Sequence, residues 1–168
     1  MKHWSVVIVV VIAALVGVVA LIGGFSTFSS TQEGQTTVYS FTGSNELFEI
    51  SNGVIVLSTD DEVFDGGDLR VIQAEPFSDI ASYFTTYYLM KNGEKRTILT
   101  HGVEDMTGGS VNIEGDLGRI SGDGVIIGNG VDNVDEVIQS LWFELKTTDL
   151  DGRESVCTLE LNPTEITH

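Results

Sequence analysis

Carboxylates are the residues in this chain whose spacing could do chemistry, and the chemistry they suggest is calcium binding. Calcium takes six to eight oxygen ligands from a flexible loop. Three acidic stretches have loop character. The first runs from Asp60-Asp61-Glu62 through Asp65 to Asp68; the second joins Asp123, Asn129, Asp132, Asn133 and Asp135; the third is Asp149 with Asp151. In the second, Gly128-Asn129-Gly130-Val131-Asp132-Asn133-Val134 fits most of one unit of the calcium-binding β-roll repeat, which makes Asp123, Asn129, Asp132 and Asp135 the metal candidates. The repeat occurs once, whereas that site is built between stacked turns. Asp149-Leu150-Asp151-Gly152 lacks the third ligand and the distal Glu of an EF-hand loop. Aspartate and glycine are also the ordinary residues of turns.

Other chemistry has less support. His101 is the one histidine away from the termini, and Thr100-His101-Gly102 reads as a strand leaving for a loop. A serine hydrolase would need it as base with a carboxylate behind it, and zinc would need three or four ligands. No catalytic residue is assigned. Cys157 is the single cysteine, so no internal disulfide forms. Alternation places Cys157, Leu159 and Leu161 on one face, as a small apolar group of a core. A contact surface is the remaining expectation. The segment 83–100 carries Tyr83, Phe84, Tyr87 and Tyr88 beside the basic cluster Lys91, Lys95 and Arg96. Tyr83, Tyr87, Lys91, Lys95 and Arg96 are its interaction candidates.

The elements that position these residues begin with an uncharged apolar run over residues 4–25. As a helix it would be roughly 33 Å long, enough to cross a bilayer core. Its unbroken apolar part exceeds the usual signal-peptide range of about 7–15 residues, which favours an uncleaved anchor. The small residues at 23–30 leave cleavage and secretion as the alternative. Lys2 precedes the run, and Glu33 is the first charge after it. The positive-inside rule then puts the N-terminus in the cytoplasm and the rest of the chain outside. Residues 26–35 read as a Ser/Thr/Gly-rich tether.

Beyond the run, seven Lys and Arg face 25 Asp and Glu, a net −18. Such a domain repels nucleic acid and keeps itself soluble. Residues 36–166 show strand-like periodicity. Asn52-Gly53 and Asn92-Gly93 both read as type I′ hairpin turns, the second with Lys91 facing Glu94. Residues 76–81 hold one helical turn, and the spacing of Val134, Val137, Ile138 and Leu141 predicts a short helix over 133–141. A final hairpin runs over 142–148 and 153–161. The fold class expected is mainly β, an immunoglobulin-like two-sheet sandwich preceded by one transmembrane helix.

Phe41-Thr42-Gly43-Ser44-Asn45-Glu46 before a strand, followed by Asn52-Gly53-Val54, resembles the immunoglobulin-like ectodomains of uncharacterised single-pass surface proteins of Gram-positive bacteria. The resemblance extends to the layout of anchor, tether and acidic β domain. It implies a cell-membrane protein and assigns no site residue. With no catalytic constellation or cofactor motif among the residues, a binding or structural envelope component is expected, its partner an extracytoplasmic protein or envelope polymer; a calcium- or small-ligand-binding or hydrolytic domain on the same sandwich is the alternative.

Overall fold

The computed structural model describes residues 36–58, 60–122 and 138–166, all within one compact unit, Gly34–His168. The apolar run and the tether lie outside the described residues, as do Asp123, Asn129, Asp132 and Asp135. No helix among the described residues is long and apolar enough to cross a membrane.

The described chain is mainly β, with every strand pairing antiparallel in one of two sheets. In order, its strands are β1 (Thr37–Ser44), β2 (Phe48–Leu57), β3 (Glu62–Asp65), β4 (Asp68–Val71), β5 (Ile80–Lys91), β6 (Glu94–Glu104), β7 (Gly115–Asp116), β8 (Arg119–Gly122), β9 (Leu141–Asp149), β10 (Glu154–Leu161) and β11 (Thr164–Glu165). The larger sheet runs β11-β1-β2-β3-β8, with β4 on β2 and β7 on β4; the smaller runs β10-β9-β5-β6. A short 3-10 turn, Glu75–Phe77, precedes β5 where one helical turn is expected. The expected helix over 133–141 falls mostly outside the described residues, and Leu141 opens β9 instead.

Strict alternation buries one face of each central strand. In β9, Leu141, Phe143, Leu145 and Thr147 point inward, and Trp142, Glu144, Lys146 and Thr148 are only half-buried. The core between the sheets is aromatic. Tyr87 of the smaller sheet is its hub, with ring centroids 5.0 Å from Phe64, 5.0 Å from Phe143 and 5.9 Å from Phe41. Phe48 extends the cluster, 5.7 Å from Phe143. Leu161 closes one side, over Gly43 of β1. A Cβ at Gly43 would lie 2.5 Å from the Leu161 side chain, so glycine lets β1 and β10 meet. Cys157 packs half-buried on this core with Leu159, as alternation predicts.

Asn52-Gly53 is not a hairpin. It lies inside β2, and the β1–β2 register slips by one residue there, with Phe41 opposite Gly53 but Gly43 opposite Ile50. Asn52 takes φ 61°, forming a bulge. The inward residues change parity across it: Phe48 and Ile50 before, Gly53 and Ile55 after. The extra residue therefore keeps one face buried along a bent strand. The turn that does join β2 to β3 is closed by Ser58 and Asp61, whose main chains bond at 2.9 Å. By contrast Asn92-Gly93 is a true type I′ turn, with φ 53° and 82° and Lys91 opposite Glu94.

The bulge is one part of a fault across the larger sheet. Gly66-Gly67, the break between β3 and β4, lies beside it. A Cβ on Gly67 would come within 2.1 Å of the Ser51 carbonyl oxygen. Leu117-Gly118, between β7 and β8, lies beside that: Gly66 N–H donates to Gly118 O at 2.9 Å, and Leu117 N–H to Gly67 O at 2.8 Å. Through this gap the buried Tyr87 hydroxyl donates to the Gly66 carbonyl at 2.7 Å.

Tyr87→Phe leaves the Gly66 carbonyl buried and unbonded, a loss of about 1–3 kcal/mol. Denaturant unfolding should show a lower midpoint at unchanged slope. Burial, helped by the Asp65 carboxylate, also holds the Tyr87 hydroxyl well above the ordinary tyrosine value of about 10. The unfolded chain then loses this proton first, so stability falls as pH rises past about 10. That portion of the alkaline loss should be missing in Tyr87→Phe. Separately, a Cβ at Gly53 would sit 2.1 Å from the Phe41 ring. Gly53→Ala should destabilise by about 2 kcal/mol, read by the same unfolding measurement.

Candidate functional site

Strand direction gathers four connections at one pole of the sandwich. β1 enters at Thr37 and ends at Ser44, where residues 45–47 turn into β2. β4, whose Val71 pairs with Phe48, ends at the same pole. So do β6 and β9, because β5 begins beside them: Ser82 pairs with both Glu104 and Thr148. The pole thus consists of residues 45–47, 72–79, 105–114 and 150–153. It is the pole opposite to the one at which the chain enters from residue 36.

Hydrogen bonds lace these loops together. Ile72 N–H donates to Leu47 O at 2.8 Å, Leu150 N–H to Asp79 O at 2.9 Å, and Val111 N–H to Ile80 O at 2.7 Å. The Glu114 carboxylate accepts from Val71 N–H at 2.9 Å, tying the loop after β6 to the end of β4. Each loop is also stiffened from within by a side chain that mimics backbone. Asn45 Oδ1 accepts from the N–H groups of Leu47 and Phe48. Asp105 accepts from the N–H and hydroxyl of Thr107 and from Gly109 N–H. Asp149 Oδ1 accepts from the N–H groups of Asp151 and Arg153 at 2.9 and 2.8 Å.

Held this way, the pole exposes apolar side chains that a free-standing domain would gain by hiding. Ile72 is 49% exposed, Met106 86% and Leu150 48%, each on a different loop. On the same pole Val71, Ala74, Phe77, Ser78, Asn112, Ile113 and Glu114 line an open groove of about 190 Å3. Small-molecule sites usually measure about 300–1,000 Å3. The groove instead suits one or two apolar side chains of a larger partner.

The expected site residues divide differently. Tyr83 and Tyr87, expected at a contact surface, are buried in the core, because the inward row of β5 carries them. The outward row holds Phe84, 48% exposed, and Tyr88, which pairs with Trp142 and lies beneath the Lys95 ammonium at 4.3 Å. Lys95 also bonds Glu144 at 2.6 Å. Arg96 is half-buried within β6, and Lys91 holds its place opposite Glu94. The aromatic spacing marked the right hairpin, but alternation alone does not say which face of β5 meets the other sheet, and the face carrying Tyr83, Tyr87 and Leu89 is the buried one.

Four described carboxylates of the calcium stretches have structural partners. Asp65 Oδ1 accepts from Gly67 N–H, Asp68 Oδ2 from Asn52 Nδ2, and Arg153 bridges Asp149 and Asp151. Among the described residues no three His, Cys, Asp or Glu side chains gather as a metal site. His101 is not at a strand exit. It lies within β6, half-buried, its ring edge-on to Tyr83 with centroids 6.1 Å apart. Its Nδ1 is buried with no hydrogen-bond partner among the described residues, so no described carboxylate orients it as a base.

The pole was missed in sequence because its parts are far apart in the chain. Its only local signals were the turn residues Asn45, Asp105 and Asp149.

The Asp105 loop has a pH signature. Its bonds from Thr107 and Gly109 hold the carboxyl below the ordinary aspartate value. The ordering they give is present above about pH 4 and is lost as pH falls through the lowered folded value. Amide resonances of Thr107 and Gly109 should titrate together in that acid range, and Asp105→Asn should abolish the titration. No protein-family model, curated protein or solved structure matches this chain.

Proposed function

We propose that this protein is a single-pass membrane protein that displays an immunoglobulin-like sandwich outside the cell and binds a partner through the loop pole. The observation that carries this reading is the strand direction. The chain enters the sandwich from residue 36 at one pole, and the laced loops with exposed Ile72, Met106 and Leu150 occupy the other. Rigid scaffolds commonly carry their binding residues on such loops.

The connectivity supports the immunoglobulin-like reading. β5 pairs with both β6 and β9, and β9 continues into β10, so the smaller sheet reads β10-β9-β5-β6. The β3–β4 pair before β5 meets β8 and β7, which follow β6. Crossing back and forth between sheets in this way is the Greek-key habit of such sandwiches. The length of the apolar run, Lys2 before it and the −18 domain after it support the orientation.

Mass spectrometry of the mature chain, combined with fractionation and protease treatment of intact cells, tests the proposal. An intact N-terminus in the membrane fraction, with the sandwich shaved off by external protease, is the expected result. A soluble chain beginning within residues 23–30 would instead establish secretion. A membrane-bound domain protected from external protease would reverse the orientation and overturn the proposal.

A further inference from the structure

We infer that the partner of the loop pole is a cationic polypeptide segment that seats an apolar side chain in the groove beside Phe77 and Ile113. The inference rests on the loop pole being the binding surface, and it adds the chemistry of what binds there.

Two observations on the same pole carry it. The first is the groove itself. Its apolar wall is built by Val71, Ala74, Phe77 and Ile113, and its volume of about 190 Å3 admits a side chain rather than a metabolite. Ile72 and Leu150 stand on adjoining loops as further apolar contacts, joined through the bonds from Ile72 to Leu47 and from Leu150 to Asp79. The second is charge. The four loops and the strand end Asp149 carry Glu46, Glu75, Asp79, Asp105, Glu114, Asp149 and Asp151, against Arg153 as their one cation. Arg153 is already engaged by Asp149 and Asp151. At the flank, Arg70 is engaged by Glu49. The outer face of the smaller sheet is different, since there Lys95 meets Glu144 and Lys146 meets Glu154.

Such a pole discriminates by sign. An acidic or phosphorylated segment approaching the groove would meet carboxylates on every loop, and like charges brought together at an interface are strongly unfavourable. Lysines or arginines flanking an apolar anchor would meet complementary charge, while the anchor leaves water for the groove. Small-molecule cations would gain the charge but not the groove. The attraction acts partly through solvent, so it weakens as salt shortens the screening length to about 3 Å at 1 M.

The test uses the full chain in detergent or nanodiscs. The probes are synthetic peptides with a central leucine or phenylalanine flanked by lysines and arginines, by serines or by glutamates. Binding is read by fluorescence anisotropy at low and high salt, against the natural sequence, Ile72→Ser with Leu150→Ser, and Glu75→Lys. Unfolding midpoints confirm that each variant is folded. The expected result is at least about tenfold tighter binding of the cationic than of the acidic peptides at low salt, falling with added salt. Glu75→Lys should narrow that preference, and the paired serine variant should weaken cationic binding about tenfold.

Equal or tighter binding of serine- or glutamate-flanked peptides, still lost in the paired serine variant, would overturn the cationic partner while keeping the pole as the surface. Cationic binding unchanged by the paired serine variant would overturn both. Absence of cationic-peptide binding up to millimolar concentration would overturn the inference.

Discussion

The hydrogen bond from the Tyr87 hydroxyl to the Gly66 carbonyl is the constraint around which this sandwich is built. It crosses the core from the smaller sheet to the larger, and it ends where the larger sheet is broken. A buried carbonyl at a strand break has lost its ladder partner, and leaving it unbonded is costly. Tyr87 supplies the missing donor and uses its ring to hold Phe41, Phe64 and Phe143 together. One side chain thus satisfies the backbone and centres the aromatic core. Glycine is needed opposite it, since a Cβ at Gly66 would lie 2.8 Å from the Tyr87 ring.

The fault also sets the geometry of the loop pole. Asn52-Gly53, Gly66-Gly67 and Leu117-Gly118 divide the larger sheet into two parts. β3 and β8 lie on one side of the division, and β4 and β7 lie on the other. The strands on the far side, β4 and β7, border the two longest loops of the pole. β4 opens residues 72–79, and β7 closes residues 105–114. Bulges and breaks that bend a sheet redirect the strands beyond them. The core interaction and the exposed groove are therefore linked through the backbone, by way of Val71 and its bond to Glu114.

Two Asn-Gly dipeptides show how far local sequence reaches. Both asparagines adopt left-handed backbone, at φ 61° and 53°. At Asn92 the following glycine is left-handed too, and the chain reverses. At Gly53 it is not, because the strand continues past Phe41, whose ring occupies the space a side chain would need. The dipeptide permits either outcome, and partners distant in the chain choose between them. The same holds for the aromatic hairpin. Its strands and turn were legible from period and turn chemistry, whereas the face of β5 that turns inward, with Tyr83 and Tyr87 on it, was chosen by packing against the other sheet.

The β class, the Asn92-Gly93 turn, the final hairpin and the inward row of Cys157, Leu159 and Leu161 are written in the chain itself. These are matters of period-two burial and of residues that tolerate tight turns, which act between near neighbours. The bulge at Asn52, the break at Gly66-Gly67, the role of Tyr87 and the assembly of the loop pole arise from packing in the folded chain. Each joins residues beyond the reach of a local turn, from Gly66 and Tyr87, 21 residues apart, to Val71 and Glu114, 43 apart. Such contacts form because a buried polar group must find a partner wherever the fold brings one, and that requirement leaves no periodic mark in the chain.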